Sequence, residues 1–199
     1  MNSSLVRVTT QLTGVAPLLM HNVRLADPED FYTKEIAKLT RKRSMTEEDR
    51  SQKYRLEWLG SLYTENDRVV VPQHNIQKCL IETAKITRKG KDVARALTSA
   101  RPESPFVPLV FPDMECKPEE LYELGGYRDM TIVGVGKSRV PRCRPGFPEW
   151  RVTAEWFLIP TVLDPDEFRD LAVLSGMVEG LGDNRINGMG RFEMKVTIA

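Results

Sequence analysis

Two stretches of this 199-residue sequence carry residue types suited to contact with a polyanion. The first is Lys137, Arg139, Arg142 and Arg144, on a segment stiffened by Pro141 and Pro145 and followed by Phe147 and Trp150. Guanidinium groups grip phosphates in a forked geometry, and aromatic rings stack on unpaired bases, so this segment reads as a clamp for a single strand. The competing reading is a solvated loop whose Phe147 and Trp150 pack into the core. The second stretch is the glycine-rich run 180–191, in which Arg185 and Arg191 flank Gly188. Glycines let a backbone approach another surface closely, and successive N–H groups there can cradle an anion. This run lies between a predicted helix and a predicted strand. A dinucleotide fingerprint needs the reverse order, so a Rossmann or P-loop reading is excluded. An ordinary tight connection is the other reading.

Other chemistry is sparse. His21, near Asp27, Glu29 and Asp30, is the one candidate for general acid–base work. A lone histidine is more often structural, as His74 is read here, and capping explains Asp27 and Asp30. Cys79, Cys116 and Cys143 lie far apart without a Cys-x-x-Cys pair, so neither a metal site nor a cofactor is expected. An odd number of thiols fits a reducing cytoplasm, that of the host if the chain is viral. No apolar run approaches the ~20 residues of a membrane helix. The opening residues alternate and lack the apolar stretch of a signal peptide, which argues against secretion.

A net charge of +1 hides an uneven distribution. Residues 41–55, 85–101 and 137–151 carry +3, +5 and +4, so the remainder carries −11. Such asymmetry suggests basic surfaces facing an anionic partner, against the plainer reading of solvated faces balanced by acids in the fold.

These residues must be positioned by regular elements. Val6, Val8, Thr10 and Leu12 alternate with Arg7, Thr9 and Gln11, which predicts a strand over 5–12. Asp27 to Asp30 predicts a helix start with Asp27 as cap, and Thr46 to Asp49 a second. A strand is expected at 68–71, helices around Ile76–Ala84 and 93–98, and an edge strand at 107–111. Five prolines forbid long elements between 101 and 120. Residues 130–135 are strand-like, and 136–146 read as an extended loop or protruding hairpin. Strand 151–159, helix 166–179 and strand 191–198 complete the chain, the helix burying Phe168, Leu171 and Val178. The strand 5–12, helices 28–62 and strand 68–71 form the matching first half. The expectation is one α+β domain over 1–199. It is a ferredoxin-like (RRM-like) sandwich with an antiparallel sheet and helices on one face. An irregular insertion, about 100–150, includes the basic loop.

The run GLGDNRINGMGRFEM after the last helix resembles the signature of the RAMP superfamily of CRISPR-associated proteins. The opening LTGVAPLLMHN and the basic insert RVPRCRP resemble a Cas7-type backbone subunit with its thumb, or a solitary phage-encoded relative. The resemblance implies a ferredoxin-like core on single-stranded RNA or DNA, with Gly188, Gly190 and Arg191 on the glycine loop. It puts Arg139, Arg142 and Arg144 on the thumb-like insert. The stretch from His21 to Asp27 lacks the glycines often seen there, which argues against RNA cleavage through Asp27. The expected function is therefore non-catalytic binding of single-stranded nucleic acid by copies that assemble along it. Lys137 and Arg185 join the expected contact residues. A ribonuclease or other hydrolase using His21, and a viral structural protein, are the alternatives.

Overall fold

The computed structural model describes residues 5–136 and 138–199, so Lys137 lies outside the described residues. In chain order the elements are β1 (Val6–Gly14), β2 (Leu18–Leu19), α1 (Phe31–Thr40), α2 (Glu47–Ser61), β3 (Thr64–Glu65) and β4 (Arg68–Pro72). Then come α3 (Gln73–Lys85), α4 (Gly90–Ala96), β5 (Leu97–Ser99), β6 (Phe106–Val110), α5 (Pro118–Leu124) and β7 (Arg128–Val135). The last are β8 (Ser138–Phe147), β9 (Arg151–Leu158), α6 (Pro165–Val178) and β10 (Phe192–Ile198). They divide into two compact units. One comprises the residues up to Leu18, Val70–Pro112 and Pro148–Ala199; the other comprises Leu19–Val69 and Asp113–Phe147.

The first unit is built on an antiparallel sheet. Its β1 lies between β9 and β10, with Val8 opposite Trp156 and Ile198, and Leu12 opposite Val152 and Met194. On its far side β9 pairs with β5 and β6, and β6 pairs in turn with β4. Residues 107–111, expected at an edge, thus fall on an interior strand. The period-two pattern buries Val8, Leu12, Val152, Ala154, Trp156, Leu158 and Phe192, while Arg7, Gln11, Arg151, Thr153 and Lys195 remain exposed. Thr10 sits on the buried face, and its hydroxyl is satisfied twice. It accepts from Trp156 Nε1 at 2.9 Å and donates to Ala154 O at 3.2 Å.

Helices α3 and α6 pack together in this unit, and α6 lies on β10. Asp164 caps α6 by accepting from the N–H groups of Asp166 and Glu167, with Pro165 at the first helical position. Its inward stripe is Phe168, Leu171, Ala172, Ser175 and Gly176, whereas Val178 faces outward, 41% exposed. That corrects the expected stripe: Val178 is the last helical residue, two positions past the point of closest contact. A Cβ on Gly176 would lie 1.9 Å from Phe192 O, so glycine is what lets the helix backbone rest on the strand.

The second unit holds α1, α2, α5 and the β7–β8 hairpin. The helices at 28–62, expected as the crossover of the first sheet, belong here, and α3 takes the place beside α6 instead. Asp30, not Asp27, caps α1 by accepting from Tyr32 N–H at 2.8 Å, because Asp27 already accepts from Glu29 N–H in the preceding turn. Thr46 and Asp49 form a reciprocal capping box at the start of α2. Trp58 of α2 is fully buried, and its Nε1 donates to Tyr127 O at 2.8 Å. Asn66 and Asp67 both have positive φ, the requirement of a two-residue type I′ turn, and close the β3–β4 hairpin.

Residues 138–146 of the segment expected as an extended loop or protruding hairpin belong to a regular hairpin, paired from Arg128↔Pro145 to Val135↔Ser138 without a slip. Its prolines fit for a geometric reason. In an antiparallel pair, alternate residues turn both backbone polar groups away from the partner strand. Met20 N–H donates to Pro145 O and Cys143 N–H to Glu57 Oε2, so 143 and 145 point away from β7, as does Pro141 by parity. Proline there removes no ladder bond. Among the described residues, no helix is long and apolar enough to cross a membrane.

Candidate nucleic-acid interface

On the hairpin, Arg139 is exposed opposite Gly134, and Arg142 and Arg144 are half-buried. Strand parity puts Arg142 and Arg144 on one face and Arg139 on the other. The Glu57 carboxylate, 2% exposed, holds Arg142: Arg142 Nη1 donates to its Oε1 at 2.9 Å, and Lys53 Nζ lies 2.7 Å from the same oxygen. Arg144 stands directly across the ladder from Asp129. Among the described residues of the hairpin's basic segment, Arg139 is the fully exposed cation.

The aromatic half of the expected clamp does not form. Phe147 is fully buried against Tyr127, ring centroids 5.5 Å apart. Trp150, 3% exposed, donates to Ala16 O at 2.9 Å and packs edge-on against Phe192. Both are core residues, each within its own unit. Asp113 accepts from Tyr127 Oη at 2.6 Å, and Glu123 pairs with Arg55.

In the other unit, the glycine loop joins α6 to β10. Arg185 pairs with Glu179, and Arg191 Nη2 donates to Arg185 O at 3.1 Å, so the two arginines meet. With Val178, Asp183 and Ile186 they line an open cleft of about 660 Å³. The N–H groups of Gly188 and Gly190 do not form a nest: they donate to Arg185 O and Pro17 O. Both glycines have positive φ, for different reasons. A Cβ on Gly190 would fall 1.7 Å from Leu181 O, whereas one on Gly188 would meet nothing. Gly190 therefore serves close backbone packing, and Gly188 faces open space.

His21 is exposed, and its carbonyl accepts from Tyr63 Oη at 3.4 Å. Nearby, Asp27 accepts from the Glu29 N–H in a turn and Asp30 caps α1. Burial pushes the Cys79 and Cys143 thiols up to about 12, which keeps them protonated and unreactive. Among the described residues, no group of three ligating side chains could hold a metal ion.

Sequence reading did not resolve one feature of the first unit. Between α3 and α4 lies a cleft of about 490 Å³ lined by Ile81, Lys85, Arg88, Gly90, Lys91 and Ala94. The charge excess of residues 85–101 was its only signal. No family model matches the chain, and no curated protein matches it.

Proposed function

We propose that this chain is a non-catalytic binder of single-stranded nucleic acid, of RAMP type, whose copies assemble along RNA or DNA. The observation that carries the reading is the β7–β8 hairpin, a basic segment mounted in one register with Arg139 exposed. A phosphate-contacting cation works best on a support that does not have to be ordered on binding. Glu57 supplies part of that support by anchoring Arg142.

The strand order of the first unit supports the ferredoxin-like reading. The run β1–α3–β5 and the run β9–α6–β10 interleave: β1 and β9 pair in the middle, with β10 outside β1 and β5 outside β9. This interleaving is the strand order expected of a split βαβ fold and favours that reading. The outer face of α6 supports contact between copies. Val173, Leu174, Met177 and Val178 are exposed on it, and Ile186 beside it is 94% exposed. Contiguous apolar surface of this kind marks an interaction site.

Two measurements on the purified protein test the reading. The absorbance ratio at 260 and 280 nm should reveal co-purifying nucleic acid, removed by nuclease. Light scattering should show larger species when an oligonucleotide of about 30 residues is added, room for several copies at ~4–16 nucleotides each. A protein-like ratio together with a strictly monomeric species in both conditions would overturn it.

A further inference from the structure

The cleft between α3 and α4 has no part in the contacts assigned above. It has an apolar floor of Ile81 and Ala94, a rim of Lys85, Arg88 and Lys91, and no acidic side chain in its lining. Lys78 precedes Lys85 by seven residues, two helical turns, and so lies on the same face of α3. The rise between them is about 10 Å. Lys78, Lys85, Arg88 and Lys91 are all exposed.

The turn that mounts these cations is built with care for the backbone. Lys89 N–H donates to Ala84 O at 2.8 Å, and Arg88 N–H donates to Lys85 O at 3.0 Å. This pair of bonds is a Schellman motif, whose left-handed position is ordinarily glycine. Here Arg88 occupies it, at φ 61°. Gly90, which has an ordinary φ, instead allows close packing: a Cβ there would lie 2.9 Å from Lys85 Cγ. A strained arginine where glycine costs nothing calls for a role in its side chain. The aliphatic floor offers no ring for a base to stack on, so the surface suits a backbone of phosphates.

We infer that the α3 face from Lys78 through Lys85 to Arg88 and Lys91 is a track for the phosphodiester backbone of a single strand. The inference rests on the proposed nucleic-acid binding and adds where on the first unit the strand runs. Glu82 lies inside the track. Lys85 bonds both its oxygens at 2.7 Å, and that bond, aided by the charges of Lys85, Lys78 and Arg185, holds its carboxyl below the usual range. The same field that attracts Glu82 attracts a phosphate, and Arg185 ties the track to the glycine loop.

Fluorescence anisotropy with a labelled oligothymidylate, on the full chain across a salt series, tests the track. Arg88→Gly relieves the backbone and removes the charge. It should keep or raise the melting temperature while flattening the logarithmic salt dependence by about 0.7, and Arg88→Gly with Lys91→Ala by about 1.4. Glu82→Gln, which releases Lys85, should tighten binding. If the unaltered chain binds and these variants match it in slope and affinity, the track is wrong while the binding function stands. If the unaltered chain does not bind, both fall.

Discussion

Arg142 and Glu57 form a charge pair at 2.9 Å, with the carboxylate only 2% exposed and two further donors, Lys53 and the Cys143 N–H, on its oxygens. The pair links β8 to α2 within one unit. It makes Arg142 a structural residue first, and it separates the arginines of the hairpin by role. Arg142→Ala should lower stability by about 1.5–3 kcal/mol, the worth of a hydrogen bond to a charged group. Arg139→Ala, at an exposed position, should change it by less than about 0.5 kcal/mol. Thermal melts of the two variants side by side check this. Equal melting temperatures would contradict the division.

The glycines give a graded series. Gly176→Ala drives a methyl into Phe192 O and Gly190→Ala drives one into Leu181 O, so both should destabilise strongly. Overpacking of this kind costs about 1–3 kcal/mol, more where backbone is struck. Gly188→Ala meets no atom and pays only for its left-handed φ, about 1–2 kcal/mol. Denaturant midpoints should rank Gly188→Ala as the mildest. Any other order would contradict the packing described.

Much of the fold was legible in the sequence, because several local signals agreed. The cap and proline at Asp164–Pro165, the box at Thr46–Asp49 and the period-two strands at both ends each act within a few residues. The assignment of helices to sheets was not legible. Nothing local in residues 28–62 says which β-strands they accompany, and α3 rather than α1 or α2 lies beside α6. Residues 138–147 read as an extended loop or a protruding hairpin; Pro141 and Pro145 left the choice open, and only the register shows their missing N–H groups turned away from β7. In the candidate site, residue types were legible but side-chain partners were not. Glu57 is 85 residues from Arg142, and no spacing rule connects them.

Alkaline pH should destabilise the protein. Burial raises the Cys79 and Cys143 thiols from about 9 to about 12, and burial followed by the Asp113 hydrogen bond raises Tyr127 from about 10 to about 12. In each case the folded state holds its proton more tightly than the unfolded state. The stabilisation is therefore complete below about pH 9 and is lost as pH rises toward 12. Melting temperatures measured from about pH 8 to about pH 11 should decline. In the native protein at about pH 8, a chromogenic disulfide should react with Cys116 far faster than with the other two thiols. A flat profile, or three equally fast thiols, would contradict the buried environments of Cys79 and Cys143.

The most direct test of nucleic-acid binding is the affinity for single-stranded oligothymidylate as a function of salt, for the unaltered chain and for Arg139→Ala. The expected result is binding at about 50 mM salt that falls linearly in logarithmic coordinates toward about 200 mM. The Arg139→Ala slope should be shallower by about 0.7, one phosphate contact. Absence of binding at the lower salt, or an affinity indifferent to salt, would contradict it.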